Sequence, residues 1–511
     1  MFATWALIDS CAALLLIYVI RGVLLVSGKP SRPPPGPPGW PIIGNVFDMP
    51  TSYQWETFAA WGDRWGDIVS ISLFGKRMVI LNSLDVANEL LDRKGAIYSD
   101  RPVLPVSGEI VNLARFTGFQ QYGPVLKNMR RLVSQTVGTN KSLTQLTGAL
   151  EDLVQDFVRR VASDPLSLSR HVQRLTATSG LRTTYGYDVE KDDDELIKIL
   201  NAGMERFNAA ALPGAFLADM VPFFNYIPSW FPGVWKQTAQ AWRRDIDAMA
   251  DVPFDITKSR VVRNAGTAAP SMVALNMTPK TDPQTEKLVK DAAASMYSGG
   301  AITASAVRTF YLAMMCYPEV QRKAQAEIDR VVGTDRLPSI ADREQLPYIR
   351  ALCWEVLRWQ TNVPVGLPHC SAQDDVHAGY FIPKGTVIIA NIWRMHRDPQ
   401  RYHCPERFNP DRYLPRDGND PETDPRQMVF GFGRRSSFKG AQLAEATLFL
   451  VCAMSLAAFD VIKPNVNGVV VEPSMEYTSG IVRHPVEFQC SIKPRSPKVE
   501  VLLSLSHASS T

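Results

Sequence analysis

Phe430-Gly-Phe-Gly-Arg-Arg-Ser-Ser-Phe-Lys-Gly-Ala-Gln-Leu-Ala444 is the most informative segment of this sequence. Its glycines predict a loop in which the backbone adopts unusual conformations. The residues from Leu443 to Leu450 predict a helix, because strong helix formers combine there with an apolar stripe. The segment therefore reads as a loop that runs into a helix.

Upstream, Tyr297-Ser-Gly-Gly-Ala-Ile-Thr-Ala-Ser305 lies within Val289 to Glu327, which reads as a long helix pair broken near Tyr317-Pro318. Two glycines inside a helix cost about 1 kcal/mol each, so we expect a close approach or a local bulge there. The hydroxyl of Thr303 has a structural alternative to any function, which is a hydrogen bond back to the preceding turn.

Two further segments carry charge in a fixed order before the loop. Glu355-Val-Leu-Arg358 lies in a predicted helix, Tyr348 to Trp359, and its i,i+3 spacing places both charges on one face. Such pairs are common on protein surfaces, so the motif alone is weak. It gains weight because Pro405-Glu-Arg-Phe408 and then the loop at Phe430 follow it in order.

This ordered series resembles the cytochrome P450 family of haem-thiolate monooxygenases. The haem-binding loop of that family follows Phe-x-x-Gly-x-Arg-x-Cys-x-Gly, and Phe430, Gly433 and Arg435 fall on this pattern. The resemblance covers roughly residues 30 to 500. It implies a mainly α fold with a smaller β-rich subdomain around one buried haem, in a single catalytic domain behind an N-terminal membrane anchor.

The resemblance also implies roles beside the dioxygen site. Gly300 and Thr303 match the family pattern in which a helix opens next to bound dioxygen and a threonine hydroxyl holds it. Ile302 stands where the family has an acid that relays protons. Loss of a positioned acid typically removes roughly 10²–10⁴-fold of proton-transfer assistance.

By the same resemblance, Arg130, His369 and Arg435 would contact the haem propionates, and a guanidinium suits a carboxylate. A solvated helix face is the alternative for Arg130 and its neighbour Arg131. Leu126 stands where the family has a tryptophan, which removes a hydrogen bond worth about 1.5–3 kcal/mol to a charged acceptor.

A second set of family residues has a structural role. Glu355, Arg358 and Arg407 would form a buried trio that locks the segment leading into the haem loop. We expect no catalytic function for these three residues.

The cysteine that ligates iron in the family is absent, because Ser437 occupies its position and the loop is one residue longer before Leu443. A serine hydroxyl has a far higher pKa than a thiol and is a poorer partner for iron. Three explanations remain open: a misread gene model around Ser436 to Gly440, a catalytically inactive relative that acts as a membrane-tethered binding or scaffold protein, and an active enzyme with an altered ligand, Ser437 itself.

The first residues contain the candidate membrane segment. Cys11 to Ile20 is uninterrupted and apolar, but Asp9 and Arg21 flank it, so it is marginal against the roughly 20 apolar residues that a span needs. A cleaved signal peptide is the alternative. We predict an anchor at 1–28, a proline-rich hinge at 29–45, the catalytic domain at 46–500 and a loose tail at 501–511.

Composition limits the function classes. The chain has 511 residues, of which 45% are hydrophobic, and a net charge of only +4, which argues against nucleic-acid binding. Its seven cysteines are scattered without a CxxC pair, which favours reduced thiols facing the cytosol over a disulfide framework.

The resemblance implies a monooxygenase that oxidises an apolar small molecule in secondary metabolism. A terpenoid is favoured as the substrate, and polyketide and indole scaffolds stay open. Tyr317-Pro-Glu-Val-Gln-Arg-Lys-Ala324 is similar to fungal microsomal members with such roles. The resemblance implies haem as cofactor, NADPH only through NADPH-cytochrome P450 reductase, and a single-pass location in the endoplasmic reticulum membrane. An acidic reductase would dock on a basic cluster. Its members are Lys127, Arg130, Arg131 and Lys439.

Overall fold

The structure is a computed structural model that describes residues 32–505, apart from 190, 192, 213, 221–234, 264–268, 416–417, 419 and 437. The side chains of 140–143, 217, 220, 438–440 and 504–505 are also outside the description. The predicted membrane anchor and the position of Ser437 therefore lie outside the described residues.

Helices dominate the described part of the chain. Those of twelve residues or more are α1 (Gln54–Trp65), α2 (Pro124–Val137), α3 (Asn140–Ser163), α4 (Leu168–Tyr185), α5 (Glu195–Ala211), α6 (Trp235–Arg263), α7 (Pro283–Ser298), α8 (Gly300–Cys316), α9 (Pro318–Val331), α10 (Pro347–Trp359) and α11 (Phe438–Ala458). Short helical turns connect several of them.

The strands form small sheets. They are β1 (Ile68–Leu73), β2 (Lys76–Leu81), β3 (His369–Cys370), β4 (Asp375–His377), β5 (Tyr380–Ile382), β6 (Val387–Ala390), β7 (Phe459–Ile462), β8 (Asn465–Val466), β9 (Val469–Val470) and β10 (Ser491–Pro494). The largest sheet has the order β1-β2-β6-β3, in which β2 and β6 run parallel and the other pairs antiparallel. The prediction of a mainly α fold with a smaller β-rich region is confirmed.

The predicted helix pair over Val289 to Glu327 consists of three helices, with the predicted break at Tyr317-Pro318 and a second break at the glycine pair. α7 ends at Ser298, α8 begins at Gly300, and α9 starts after Tyr317 with Pro318 at its first position. Proline is tolerated there because the first N–H groups of a helix lack a partner. The break at the glycine pair is the local irregularity that the sequence predicted.

Helix α11 provides the apolar centre of the largest core cluster. Among the described residues, Ala441–Ala458 is the one helical segment long and apolar enough to span a bilayer, and 72% of it is buried inside the protein. It packs against α3, α8, α9 and α10, so this apolar helix serves as a core element.

The predicted loose tail is wrong over its first residues. Pro497–Leu505 is a helix, and it begins before the predicted start of the tail at 501. Val499 and Leu503 are four residues apart, lie on one helix face and join the main core cluster. The other predicted domain boundaries stay predictions.

Candidate functional site

A cavity of about 750 Å³ lies where helices α2, α4, α7, α8 and α11 meet the loop that begins at Phe430. Its wall includes the glycine pair, Gly299 and Gly300, on one side and Phe430 and Ser436 on the other. The cavity therefore lies between the broken helix and the loop.

Gly300, Ile302 and Thr303 all line this cavity. A Cβ atom at Gly300 would come no closer than 3.8 Å to Thr176 O, so close packing does not require glycine here. Thr176 Oγ1 bonds back to its own helix, at 3.1 Å from Val172 O. No such bond is formed by Thr303, whose hydroxyl lacks a hydrogen-bond partner in the described part of the chain.

The loop keeps its shape through a close approach at Gly433. This residue has φ +50°, and a Cβ atom there would lie 2.2 Å from the carbonyl oxygen of Leu91. Any side chain at this position would therefore displace the loop from the π-helical turn Asn88–Arg93.

Arg130 reaches from α2 to the loop. Its guanidinium donates to Ser436 O at 2.6 Å and to Arg435 O at 3.3 Å, and it also lines the cavity. Burial lowers the pKa of Arg130 from its ordinary value. Arg131, by contrast, is exposed. The structure thus places Arg130 at the loop and leaves Arg131 on the solvated face of the helix.

Arg435 and His369 lie deeper, beside the cavity wall. Arg435 is buried and donates to the backbone oxygens of Ser99, Thr117 and Gln120 at 2.7, 3.2 and 2.6 Å. The Nδ1 atom of His369 is 2.8 Å from Tyr98 O. Burial, and then the charge of Arg101, hold the pKa of His369 well below its ordinary value.

Arg101 is a residue that the sequence reasoning missed, since it stands in a turn without a recognisable motif. It is buried, and its Nη1 donates to the carbonyls of Leu367 and Pro368 at 2.7 Å each. Its Nε has no partner in the described part of the chain. Burial, followed by the charge of Arg435, lowers the pKa of Arg101 well below its ordinary value.

Arg101, Arg130 and Arg435 therefore form a cationic cluster, next to the buried ring of His369. None of its three guanidiniums makes an ion pair within the described part of the chain, although the charge of Asp100 acts on Arg101 and Arg435. Buried charge without a partner is costly. An anion at this place would supply the missing charge, and the two carboxylates of a haem fit that requirement.

The donor set for a haem iron does not fit equally well. None of the six described cysteines lines the cavity. Cys452 lies inside α11, and burial together with a hydrogen bond to Cys353 raises its pKa well above the usual value. No group of three or more His, Cys, Asp and Glu residues in the described ranges is arranged to hold a metal ion. These residues provide no replacement for the absent thiolate.

The predicted buried trio is present, but Arg412 takes the place of Arg407 in it. Arg358 makes a two-pronged ion pair with Glu355, with both bonds at 2.8 Å and both side chains fully buried. The third guanidinium belongs to Arg412, whose Nε lies 3.1 Å from Glu355 Oε1. The prediction of Arg407 is wrong, because its side chain is 68% exposed and only its carbonyl accepts bonds from Arg358 and Arg412.

The sequence contains two similar motifs in this region. Pro410-Asp-Arg-Tyr413 repeats the proline, arginine and aromatic spacing of Pro405-Glu-Arg-Phe408 five residues later. Tyr413 donates its hydroxyl to Glu355 Oε2 at 3.2 Å, so the second copy supplies two ligands to the same carboxylate. The first copy contributes backbone carbonyls and the aromatic ring of Phe408.

Exposed cations lie at the rim of the cavity. Lys127 and Arg434 both approach the ring of Tyr122, at 5.3 and 5.6 Å from its centroid. Together with Arg131 they give this face a positive charge. The side chain of Lys439, the fourth predicted member of the docking surface, lies outside the described residues.

A mainly helical fold that encloses a cavity between a broken helix and a glycine-rich loop, with buried cations beside it, defines a small-molecule-binding protein suited to an acidic cofactor. The chain belongs to the cytochrome P450 family, whose sequence model matches residues 34–492. By family it is a haem-dependent monooxygenase.

Several fungal proteins are similar along almost the whole chain. Cytochrome P450 monooxygenase 208 of Postia placenta is 48% identical over 503 residues, which is 98% of each chain. Cytochrome P450 monooxygenase claR of Ampulloclitocybe clavipes is 41% identical over 92% of this chain and 88% of its own length. Cytochrome P450 monooxygenase ple1 of Rhodocybe pseudopiperita is 38% identical over 92% of this chain and 91% of its own length.

Proposed function

We propose that this chain is a fungal monooxygenase of secondary metabolism that binds haem in the cavity described above and oxidises a small molecule with a large apolar skeleton. The observation that carries the proposal is the cationic cluster, Arg101, Arg130 and Arg435, of which Arg130 lines a cavity bounded by the glycine pair and the loop. When bound, haem supplies an iron centre that activates dioxygen for insertion of one oxygen atom.

The residues around the cavity have distinct tasks in this proposal. Arg130, which lines the cavity, would hold a haem carboxylate, and Arg101 adds positive charge from behind the lining. Arg435 ties the loop to the segment that holds Ser99. The uncommitted hydroxyl of Thr303 faces the cavity and is available to hold a proton or a water molecule. Ile302 contributes an apolar wall and no acid, so protons must reach Thr303 from water or from other hydroxyl groups.

The fungal relatives and their monooxygenase names support the coarse part of the proposal. The finer parts are the secondary-metabolite role, the terpenoid class of substrate and the endoplasmic reticulum location. The proposal also includes a reductase as the electron donor. Lys127, Arg131 and Arg434 form a positive docking surface that suits an acidic partner.

A second candidate function follows from Ser437 and Ile302. A chain that lacks both the thiolate ligand and the proton-relay acid would be a membrane-tethered binding or scaffold protein with the same fold. The two functions differ in whether the cavity accepts haem and in whether iron there gains a sulfur ligand.

The decisive experiment restores the family pattern. Ser437→Cys combined with deletion of Lys439 gives Phe430-x-x-Gly433-x-Arg435-x-Cys-x-Gly, and the matched control is Ser436→Cys with the same deletion. We expect the first variant to take up haem and to show a thiolate-type carbon monoxide difference spectrum when reduced. The control and the parent chain should lack that spectrum.

One result would contradict this proposal. If the restored variant folds but takes up no haem, the cavity is not a haem site. A thiolate-type spectrum from the parent chain would support haem binding and would contradict only the inference that the chain lacks a sulfur ligand. Sequencing the transcript across Arg435 to Leu443 separately tests a misread gene model.

A further inference from the structure

The C-terminal segment 476–486 forms a hairpin next to helix α8. Tyr477 and Pro485 form an antiparallel bridge between its two arms. Thr478 N also donates to His484 O at 2.9 Å, and the amide of His484 donates back to Thr478 Oγ1 at 3.0 Å. These bonds give the hairpin a fixed shape of its own, so it can support the elements that it contacts.

One face of α8 is fastened to this hairpin by three side chains. They are Ser305, Arg308 and Thr309, at positions i, i+3 and i+4, which lie along one helix face. Their partners in the hairpin are, in the same order, Arg483 O, Pro485 O at 3.0 Å and Tyr477 Oη at 3.1 Å. The hairpin therefore contacts α8 over a full turn of the helix.

Ser305 has more hydrogen-bond partners than its two neighbours on this face. Its Oγ donates to Arg483 O and accepts a hydrogen bond from Asn362 Nδ2 at 2.6 Å. Asn362 O also accepts from Arg483 N at 2.8 Å, and all three residues are buried. A helical serine ordinarily bonds back to the preceding turn of its own helix. Ser305 instead uses its hydroxyl to join α8 to the hairpin and to the residues that follow α10.

These bonds hold α8 from the side that faces away from the cavity. Thr303 lines the cavity and Ser305 does not, and side chains two positions apart on a helix point in directions about 200° apart. Because α8 begins at Gly300, its cavity-lining residues form a helix end, and helix ends fray more readily than helix centres. Ser305 is the first residue of α8 whose side chain forms a hydrogen bond within the described part of the chain.

We propose that Ser305 is a positioning residue for the cavity. With Asn362 and the backbone of Arg483, it fixes the first turn of α8 and so the place of Thr303 in the cavity wall. This inference rests on the proposed function, because the place of Thr303 affects the reaction only when haem occupies the cavity. Ser305 is not a catalytic residue, since it does not line the cavity and acts through the helix.

Hydrogen exchange tests the positioning role without haem. Ser305→Ala leaves Asn362 Nδ2 and Arg483 O without their partner, so the first turn of α8 should open more often. Exchange of the backbone amides at 304–307 is measured by mass spectrometry on the full-length chain in detergent. We expect it to become about tenfold faster, as the loss of one buried hydrogen bond implies.

Thr309→Val is the matched control. Thr309 lies on the same face of α8, is also fully buried and also bonds to the hairpin, but it is one turn farther from the cavity. The substitution keeps the shape of the side chain and should change exchange at 304–307 by about twofold or less. Equal acceleration by Ser305→Ala and Thr309→Val would overturn the proposal, because any lost contact with the hairpin would then have the same effect.

A second variant tests the same hydrogen bonds if Ser305→Ala does not fold. Asn362→Leu keeps the approximate size of the side chain and removes the donor to Ser305, so exchange at 304–307 should again become faster. The double variant should exchange no faster than the faster of the two single variants, because both substitutions break the same network. Fully additive effects on exchange would contradict a shared role.

Haem provides a second readout. In the restored Ser437→Cys variant, the infrared stretching band of carbon monoxide on the reduced haem reports on the cavity wall around the first turn of α8. Ser305→Ala should shift or broaden this band, and Thr309→Val should leave it unchanged. A purely structural role of Ser305 would lower the stability and leave the band unchanged, and that result would overturn the proposal.

The two readouts distinguish a failure of the positioning role from a failure of the proposed function. If the restored variant takes up no haem, the proposed function fails, and exchange at 304–307 alone decides whether Ser305 fixes the first turn of α8. If haem binds and Ser305→Ala changes neither the exchange nor the band, the proposed function stands and the positioning role is rejected.

Discussion

The group of buried charges around Glu355 and the cationic cluster are built differently. Around Glu355, each carboxylate oxygen accepts bonds from buried neighbours, including Arg358 and Arg412. Burial lowers the pKa of Arg358, but its pairing with Glu355 outweighs this and raises the pKa overall. The buried charges of this group are therefore paired within the protein, and no ligand is needed to balance them.

The guanidiniums of the cationic cluster, by contrast, have no ion-pair partner among the described residues. Burial lowers the pKa of Arg435 to about 10, which the neighbouring Asp100 only partly offsets, and Arg101 keeps an unpartnered Nε. Charges that are paired within the protein stabilise the fold without a ligand, whereas buried cations without a negative partner need an external anion. The contrast distinguishes a structural lock from a ligand site more clearly than burial does, since both groups are buried.

We expect the largest effect from a substitution that breaks the ion-pair network around Glu355. Arg412→Met leaves the fully buried Glu355 with one guanidinium instead of two, and we expect a loss of roughly 3–5 kcal/mol in the free energy of unfolding. Arg407→Met removes an exposed side chain and should change it by no more than about 0.5 kcal/mol. Denaturant unfolding of both variants checks this, and equal losses would restore Arg407 to the trio.

Haem and its dimethyl ester together test whether the cationic cluster binds the haem carboxylates. Arg130→Met removes a cation of this cluster, so we expect haem to bind the restored Ser437→Cys variant more weakly by about 1.5–3 kcal/mol. The dimethyl ester lacks free carboxylates, and its affinity should not respond to the substitution. Spectroscopic titration with both compounds provides the measurement. An equal response of the two would assign Arg130 to the support of the loop alone.

Acid should weaken the network around Glu355 through His396, whose Nδ1 lies 2.8 Å from Thr361 Oγ1. Burial and the charge of Arg358 lower the pKa of His396 to about 3. The unfolded chain takes up its proton near pH 6.5, so stability is full above that pH and falls as the pH decreases. Relative to His396→Asn, we expect a loss of about 2 kcal/mol between pH 6.5 and 5. A difference between the two proteins that does not vary with pH would contradict this.

The smallest expected effect concerns the exposed rim. Lys127→Glu reverses one charge beside Tyr122, and we expect reduction by an NADPH-dependent reductase to slow by a few-fold at low salt. The effect should fade at high salt, because screening removes long-range steering. Stopped-flow reduction of the restored variant measures it, and Lys493→Glu, at an exposed lysine of β10 that does not line the cavity, is the control. Equal slowing by both substitutions would argue against this docking surface.

Part of the site was readable from local spacing. The helix at Glu355, the break at the glycine pair and the turn around Gly433 each follow from residues close together in the chain. Arg101 escaped prediction because its importance comes from Leu367, Pro368 and Arg435, which are distant in sequence. Arg407 was chosen in place of Arg412 because two similar motifs lie five residues apart, and only packing decides which guanidinium is buried.

The sequence by itself determined the family, the order of its motifs and the absence of a cysteine at 437, since these are properties of residue identity and spacing. Only the tertiary structure decided which cations are paired and which residues line the cavity, because such facts depend on contacts between segments far apart in the chain. Arg412 illustrates the reason: its sequence motif resembles the one that contains Arg407, and only packing places its guanidinium against the buried Glu355.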